Sequence, residues 1–215
     1  MHGFGAVLSK LQGVRGKCVS LNFRESSSVA PYVPTPLNIV RRMLELVRAN
    51  SNDILYDLGC GDGRILFSAV EEFNVRKAVG YELNPMMCET VRRKADEKGL
   101  KGRIEVINGN FFLADLSPAS VITLYLTTSG NTKLKPKLEK ELQKGSRVVS
   151  HDFPINGWKP VKSNTKDSFD ASSHRIYLYH IPESYQEDFE VCHTPEDGSS
   201  WRRIRNLLRL ERPGT

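Results

Sequence analysis

A glycine-dense octapeptide, Asp57-Leu58-Gly59-Cys60-Gly61-Asp62-Gly63-Arg64, constrains this chain more than any other stretch. It follows the apolar run Ile54-Leu55-Tyr56 and precedes Ile65, Leu66, Ala69, Val70 and Phe73, which share one helical face. A strand that turns into a helix through glycines lets backbone approach a ligand closely. The spacing is G-x-G-x-G, and Arg64 stands where a dinucleotide-binding loop would place its third glycine. No Gly-Lys-Ser/Thr follows, which excludes a Walker loop.

The surrounding pattern repeats the strand-then-helix order. Order is expected to begin at Tyr32-Val33-Pro34-Thr35-Pro36, with Thr35 as N-cap and Pro36 in the first turn of a helix carrying Val40, Met43, Leu44 and Val47. Strands are expected over residues 54–58, 77–82, 104–108, 121–126, 146–150 and 175–179, with a weak one around 161–167. Helices are expected after Pro85 and around Leu134, Leu138 and Leu142, with Pro136 in the first turn of the latter. Such alternation implies an α/β fold: a mostly parallel seven-stranded sheet with helices on both faces and an antiparallel strand at one edge.

Two acids and one amide narrow the ligand. Asp57 ends the first strand and Glu82 the second; a carboxylate at the second position can accept both hydroxyls of a ribose. A loop with room for backbone contact but no diphosphate pocket suits S-adenosylmethionine, whose tail is an amino acid. Asp57 and Asp62 would face its ammonium end. After the third strand, Asn110 can bond the adenine amino edge, and Phe111 and Leu83 can sandwich the ring.

Charge and cysteine content set the context. The chain of 215 residues carries +6 overall, which prompts a search for a nucleic-acid site. Residues 1–31 hold +3 of it, residues 32–181 hold +5 and residues 182–215 hold −2. The division expected is a flexible basic arm (1–31), a catalytic domain (32–181) and a C-terminal extension (182–215) in which Trp201, Ile204, Leu207 and Leu208 recur at helical spacing. Basic residues such as those from Lys133 to Lys144 are interleaved with acids, which favours a solvated surface over a nucleic-acid groove. Cys18, Cys60, Cys88 and Cys192 form no Cys-x-x-Cys pair, so neither a zinc site nor a disulfide framework is expected. No run approaches the length of a spanning helix. A cytoplasmic monomer is the expectation, with the mitochondrial matrix as the alternative if residues 1–31 act as a presequence.

The segments Tyr32-Val33-Pro34-Thr35-Pro36, Tyr56-Asp57-Leu58-Gly59-Cys60-Gly61-Asp62-Gly63-Arg64-Ile65, Gly80-Tyr81-Glu82-Leu83-Asn84-Pro85 and Val148-Val149-Ser150-His151-Asp152-Phe153 resemble those of archaeal protein-lysine methyltransferases. These are similar to the mitochondrial enzymes that methylate lysines of the ATP-synthase c subunit and the adenine nucleotide translocase. The resemblance covers residues 31–181 and implies a Rossmann-like class I methyltransferase fold. It also implies protein substrates presenting accessible lysines, and S-adenosylhomocysteine as product.

Methyl transfer is an in-line displacement by a neutral amine, so the protein must position the amine, exclude water and help a proton leave. Three segments are expected to build the amine channel: residues 32–35, residues 126–128, and His151-Asp152-Phe153 with Trp158. Tyr32 would orient the amine or cover the cofactor, Asp152 would attract the lysine or accept a proton, and Phe153 and Trp158 would wall the channel. His151 reads as a loop residue. The candidate cofactor contacts are Tyr32, Thr35, Asp57, Gly59, Gly61, Asp62, Gly63, Glu82, Leu83, Asn84, Asn110, Phe111 and Leu126. Two other acceptors compete with protein: a nucleic acid and a small molecule. The stretch Leu124-Tyr125-Leu126-Thr127 lacks the Pro-Pro that adenine methyltransferases carry there.

Overall fold

The computed structural model describes residues 32–161, 169–171 and 174–185. The basic arm and the amphipathic stretch around Trp201 lie outside the described residues, as does the weak strand expected up to 167. Six strands of four to seven residues make up most of one sheet: β1 (Ile54–Leu58), β2 (Lys77–Glu82), β3 (Ile104–Asn108), β4 (Val121–Leu124), β5 (Arg147–His151) and β7 (His174–His180). The three-residue β6 (Phe169–Ala171) pairs along the outer side of β7. The order is β3-β2-β1-β4-β5-β7-β6. The first five are parallel, and β7 enters antiparallel to β5. The chain order reverses at β1, so the crevice above its carboxyl end is the switch point where ligands bind in such sheets.

Alternation within the strands divides the core in two. Leu55 and Ala78 face α1 (Leu37–Leu46), α2 (Arg64–Glu71) and α3 (Pro85–Glu97), and pack with Met43, Leu44, Leu66 and Val91. Tyr56, Leu58 and Val79 face the opposite way, toward Leu134 and Leu138 of α4 (Thr128–Glu141), Trp158 and Tyr179. Each fully buried leucine there contributes about 1.5–3 kcal/mol by leaving water.

Two helix starts differ from expectation. Pro36, not Thr35, is the N-cap of α1, and no side chain caps that end. The Thr35 hydroxyl instead faces His151, 3.2 Å away. Pro136 lies inside α4 rather than in its first turn, because Thr127 caps Gly130 N–H and starts the helix two turns earlier. Pro85 occupies the first turn of α3 as expected, and the Asn84 side chain accepts the N–H groups of Met86 and Met87.

Candidate functional site

The glycine loop turns over the carboxyl end of β1. Gly59, Gly61 and Gly63 all have positive φ, at 98°, 52° and 77°. The loop is fastened to β2 by Gly59 N–H and Cys60 N–H, which both donate to Tyr81 O. Cys60 then points at Gly80: a Cβ there would lie 2.5 Å from its Sγ and 2.7 Å from Leu66 Cδ1. Gly80 is therefore a positioning residue for the loop, one that sequence reading passed over as an ordinary strand residue.

Glu82 ends β2 where expected. Its carboxylate accepts Gly61 N–H at 3.0 Å through one oxygen and Asn84 N–H at 2.8 Å through the other. Each oxygen keeps a further lone pair, so the group can still accept ribose hydroxyls. Asn108 steadies this corner by donating to the carbonyls of Glu82 and Leu83.

Asp57 is buried and accepts Thr123 Oγ1 at 2.8 Å. Burial pushes its carboxyl up to about 7; the Thr123 bond opposes this, and the charges of Glu82 and Asp62 add to it. A buried acid with two acids nearby is a receptor for positive charge, which fits an ammonium or sulfonium group. Asp62 is placed differently. Both its oxygens hold the Arg64 guanidinium, at 2.7–3.2 Å, and the Arg64 bond keeps its carboxyl below the usual range. It is thus engaged within the loop, whereas Asp57 has no ion-pair partner among the described residues.

Arg64 extends the loop to the entry segment by donating to Thr35 O at 2.8 Å. Tyr32 closes the other side: a Cβ on Gly61 would meet its Cε2 at 2.7 Å. Leu126 is buried, and its Cδ2 lies 3.8 Å from where a Gly59 Cβ would be. Tyr32 and Leu126 therefore border Gly61 and Gly59, with Thr35 tied to the loop through Arg64, while the open side of Gly63 faces Val91 and Phe67 of the helix layer instead.

The adenine end is assembled in part. The Asn110 side-chain oxygen Oδ1 accepts Phe112 N–H at 3.0 Å. Phe111 is buried in the core with its ring 4.8 Å from Phe112, whereas Leu83 is exposed. Leu83 thus stands at the surface, where a ring can stack on it. The Asn84 side chain is the α3 cap described above.

The ends of β5 and β7 carry the second half of the site. His151 is not a loop residue: it closes β5, fully buried. Burial holds its imidazole down to about 4. Asp152 follows in a left-handed conformation, φ 58°, and its carboxylate meets the start of β7. Its Oδ1 accepts Arg175 N–H at 2.9 Å. Its Oδ2 lies 3.1 Å from His174 Nδ1 and 3.4 Å from Tyr125 Oη. The Tyr125 ring lies over His151 at 4.0 Å and stacks with Phe153 at 6.3 Å. Phe153 thus joins Tyr125 and His151 in one aromatic group beside Asp152. Trp158 lies apart from it: its indole N–H donates to Glu139 of α4 at 2.8 Å and its ring packs on Tyr179 and Tyr185. It is buried in the α4-side core. Tyr125 and His174 are the residues sequence reading missed, since neither belongs to a local motif.

Known proteins resemble the chain in these same regions. Residues 57–162 match the family model described as the ANTKMT methyltransferase domain. A protein-lysine N-methyltransferase of Saccharolobus islandicus is 50% identical over 153 residues, covering 71% of this chain and 94% of that protein. The adenine nucleotide translocase lysine N-methyltransferase of Mus musculus is 34% identical, and the chain spans 56% of its length. Among solved structures, a Salinibacter ruber protein described as an RNA methyltransferase, in complex with S-adenosyl-L-homocysteine, is 41% identical. It superposes with a TM-score of 0.67 and covers 74% of this chain and 99% of that one.

Proposed function

The chain belongs to the ANTKMT-type family of S-adenosylmethionine-dependent methyltransferases, and on that premise we propose that it methylates lysine side chains of proteins, releasing S-adenosylhomocysteine. The observation that carries this reading is the 50% identity that runs through 94% of an archaeal protein-lysine N-methyltransferase. The vertebrate relatives are lysine methyltransferases as well.

In the proposed arrangement Asp57 receives the ammonium end of the cofactor and Glu82 its ribose. Gly59, Gly61 and Gly63 give the backbone approach, and Leu83 and Asn110 flank the adenine. Tyr32, Thr35 and Leu126 close over it. The lysine amine would enter between Tyr125, Phe153 and Asp152. The aromatic walls disfavour the charged form of an entering amine, and the amine lone pair then displaces sulfur from the methyl carbon. Residues 32–181 are the proposed catalytic domain, and the cytoplasm its proposed compartment.

Nucleic acid is the second reading, because the Salinibacter structure is described as an RNA methyltransferase. One experiment separates the two. Protein and RNA from the source cells are incubated with the enzyme and tritiated S-adenosylmethionine, then acid-hydrolysed. N-methyl-lysine carrying the label is the expected product. Label that nuclease removes and protease leaves would assign the acceptor to RNA.

A further inference from the structure

Resting on the lysine reading above, we propose that His174 is the base of this active site, its Nε2 taking the proton from the substrate ammonium while Asp152 holds its Nδ1–H. The hydrogen-bond pattern leads there. His174 Nδ1 faces two atoms: Asp152 Oδ2 at 3.1 Å and His151 Nε2 at 3.0 Å. Asp152 Oδ2 also lies 3.3 Å from His151 Nε2, so one of the two ring nitrogens donates to it, and the shorter contact assigns that hydrogen to His174 Nδ1. His151 Nε2 is then the second acceptor, and the hydrogen of that neutral ring sits on Nδ1, donated to Thr35 Oγ1 at 3.2 Å. This choice of tautomers satisfies the Asp152–His174, His174–His151 and His151–Thr35 contacts and leaves the 3.3 Å approach of His151 Nε2 to Asp152 Oδ2 without a hydrogen. It leaves Nε2 of His174 as the basic nitrogen, with no hydrogen-bond partner among the described residues.

The same pattern removes Asp152 from the role of base. Burial pushes its carboxyl up, but Arg175 N–H, His174 and His151 outweigh this and hold it below the usual range. A carboxylate so stabilised is a poor acceptor for a proton from an ammonium group, which ordinarily titrates near 10.4. An imidazole is the side chain whose ordinary titration lies nearest neutrality. The arrangement of acid, oriented imidazole and reacting group follows the general logic of base dyads.

The surroundings are suited to the task. The groups facing the imidazole are His151 of β5 and Asp152 just after it, with Arg175 N–H and Tyr125 reaching it through Asp152. The His174 side chain is 28% exposed, against 0% for His151, so only His174 can pass a proton to water. Thr35 links the pair to the glycine loop through Arg64, which places the dyad beside that loop.

The proton balance is simple. The ammonium N–H bond breaks and an Nε2–H bond forms, giving an imidazolium whose charge Asp152 offsets. The amine lone pair then bonds the methyl carbon as the carbon–sulfur bond breaks. The product is a methylammonium and S-adenosylhomocysteine, and the imidazolium returns its proton to water through the exposed edge.

The test compares the native enzyme with His174→Gln and His174→Ala on source-cell protein, with N-methyl-lysine counted after hydrolysis from pH 6 to pH 10. Calorimetric affinity for S-adenosylmethionine and the melting temperature verify that the variants fold. Native activity is expected to level off above neutrality. Both variants should fall on the order of 10²- to 10⁴-fold at pH 7 and climb steadily toward pH 10, following the free-amine fraction. Added imidazole should restore part of the His174→Ala rate. Folded variants that keep the native profile overturn the dyad, as does activity that requires a divalent ion at His151, Asp152 and His174 and vanishes with chelator. No methyl-lysine from the native enzyme at any pH would instead overturn the lysine reading itself.

Discussion

Thr123 Oγ1 donates to Asp57 Oδ1 at 2.8 Å, joining the carboxyl ends of β4 and β1 beneath the glycine loop. The bond keeps the carboxylate aimed but does not offset its burial, which pushes the group up to about 7. The folded protein therefore holds a proton that the unfolded chain has already released between about pH 4 and pH 7. Stability falls as pH rises through that window, by up to about 4 kcal/mol from this group. A cationic ligand reverses the preference by favouring the ionised acid. Binding of S-adenosylmethionine at pH 6 should release close to one proton, and affinity should rise until about pH 7.5. Calorimetry in two buffers of different ionisation enthalpy measures the release. Asp57→Asn should abolish it and raise the melting temperature of the free protein at pH 8. A pH-independent affinity in the native protein would remove Asp57 from the cationic end.

Gly80 predicts a different kind of failure. A methyl group there would lie 2.5 Å from Cys60 Sγ, 2.8 Å from Cys60 Cβ and 2.7 Å from Leu66 Cδ1. The Cys60 Cβ is fixed to its backbone and cannot swing away, so strand and loop must separate. Gly80→Ala should cost about 1–3 kcal/mol by overpacking. That corresponds to a fall of several degrees in melting temperature for a domain of this size, read by calorimetry. Because Cys60 sits between Gly59 and Gly61, cofactor affinity should fall as well. A variant with native melting temperature would show that the loop has slack.

The loop, the acids at the ends of β1 and β2 and the parallel core were legible because each is local. Asp57, Gly59 and Glu82 are recognised by their position after an apolar run, and nothing distant alters that. The other half was legible only in part: Asp152 and Phe153 are expected from the sequence, but their partners His174 and Tyr125 are not. His174 and Asp152 are 22 residues apart and meet only because β7 inserts antiparallel beside β5, in a register that pairs His151 with Ile176. No spacing along the chain encodes that register. His151 was misread for a related reason: the turn begins one residue later, at Asp152, whose left-handed backbone is invisible in composition. Asp62 and Asn84 carry the right chemistry, but Arg64 and the α3 N-terminus engage them first.

Trp158 offers a direct comparison between a channel wall and a core residue. Its indole bonds Glu139 and its ring is enclosed by Tyr179 and Tyr185. Trp158→Phe should therefore lose the charge-assisted hydrogen bond and some packing, about 1.5–3 kcal/mol. The melting temperature should drop. The transfer rate per folded molecule, measured well below the new melting point, should stay within twofold of native. A rate loss of tenfold at unchanged stability would return Trp158 to the amine channel.

Glu82 joins structure and cofactor, and two substitutions separate the roles. Its two oxygens hold Gly61 N–H and Asn84 N–H, so Glu82→Ala leaves both donors without their carboxylate. Glu82→Gln keeps one carbonyl oxygen to accept an N–H but replaces the second acceptor with a donor. If the carboxylate also accepts two ribose hydroxyls, Glu82→Gln should weaken S-adenosylmethionine by roughly 1.5–3 kcal/mol, or ten- to a hundredfold. Its melting temperature should change by only a few degrees. Glu82→Ala should lower both quantities further. The discriminating ligand is S-adenosylmethionine lacking its ribose 2′-hydroxyl. It should bind the native protein more weakly than the parent and bind Glu82→Gln nearly as well as the parent does. Equal loss of the two ligands in the variant would confine Glu82 to holding the loop.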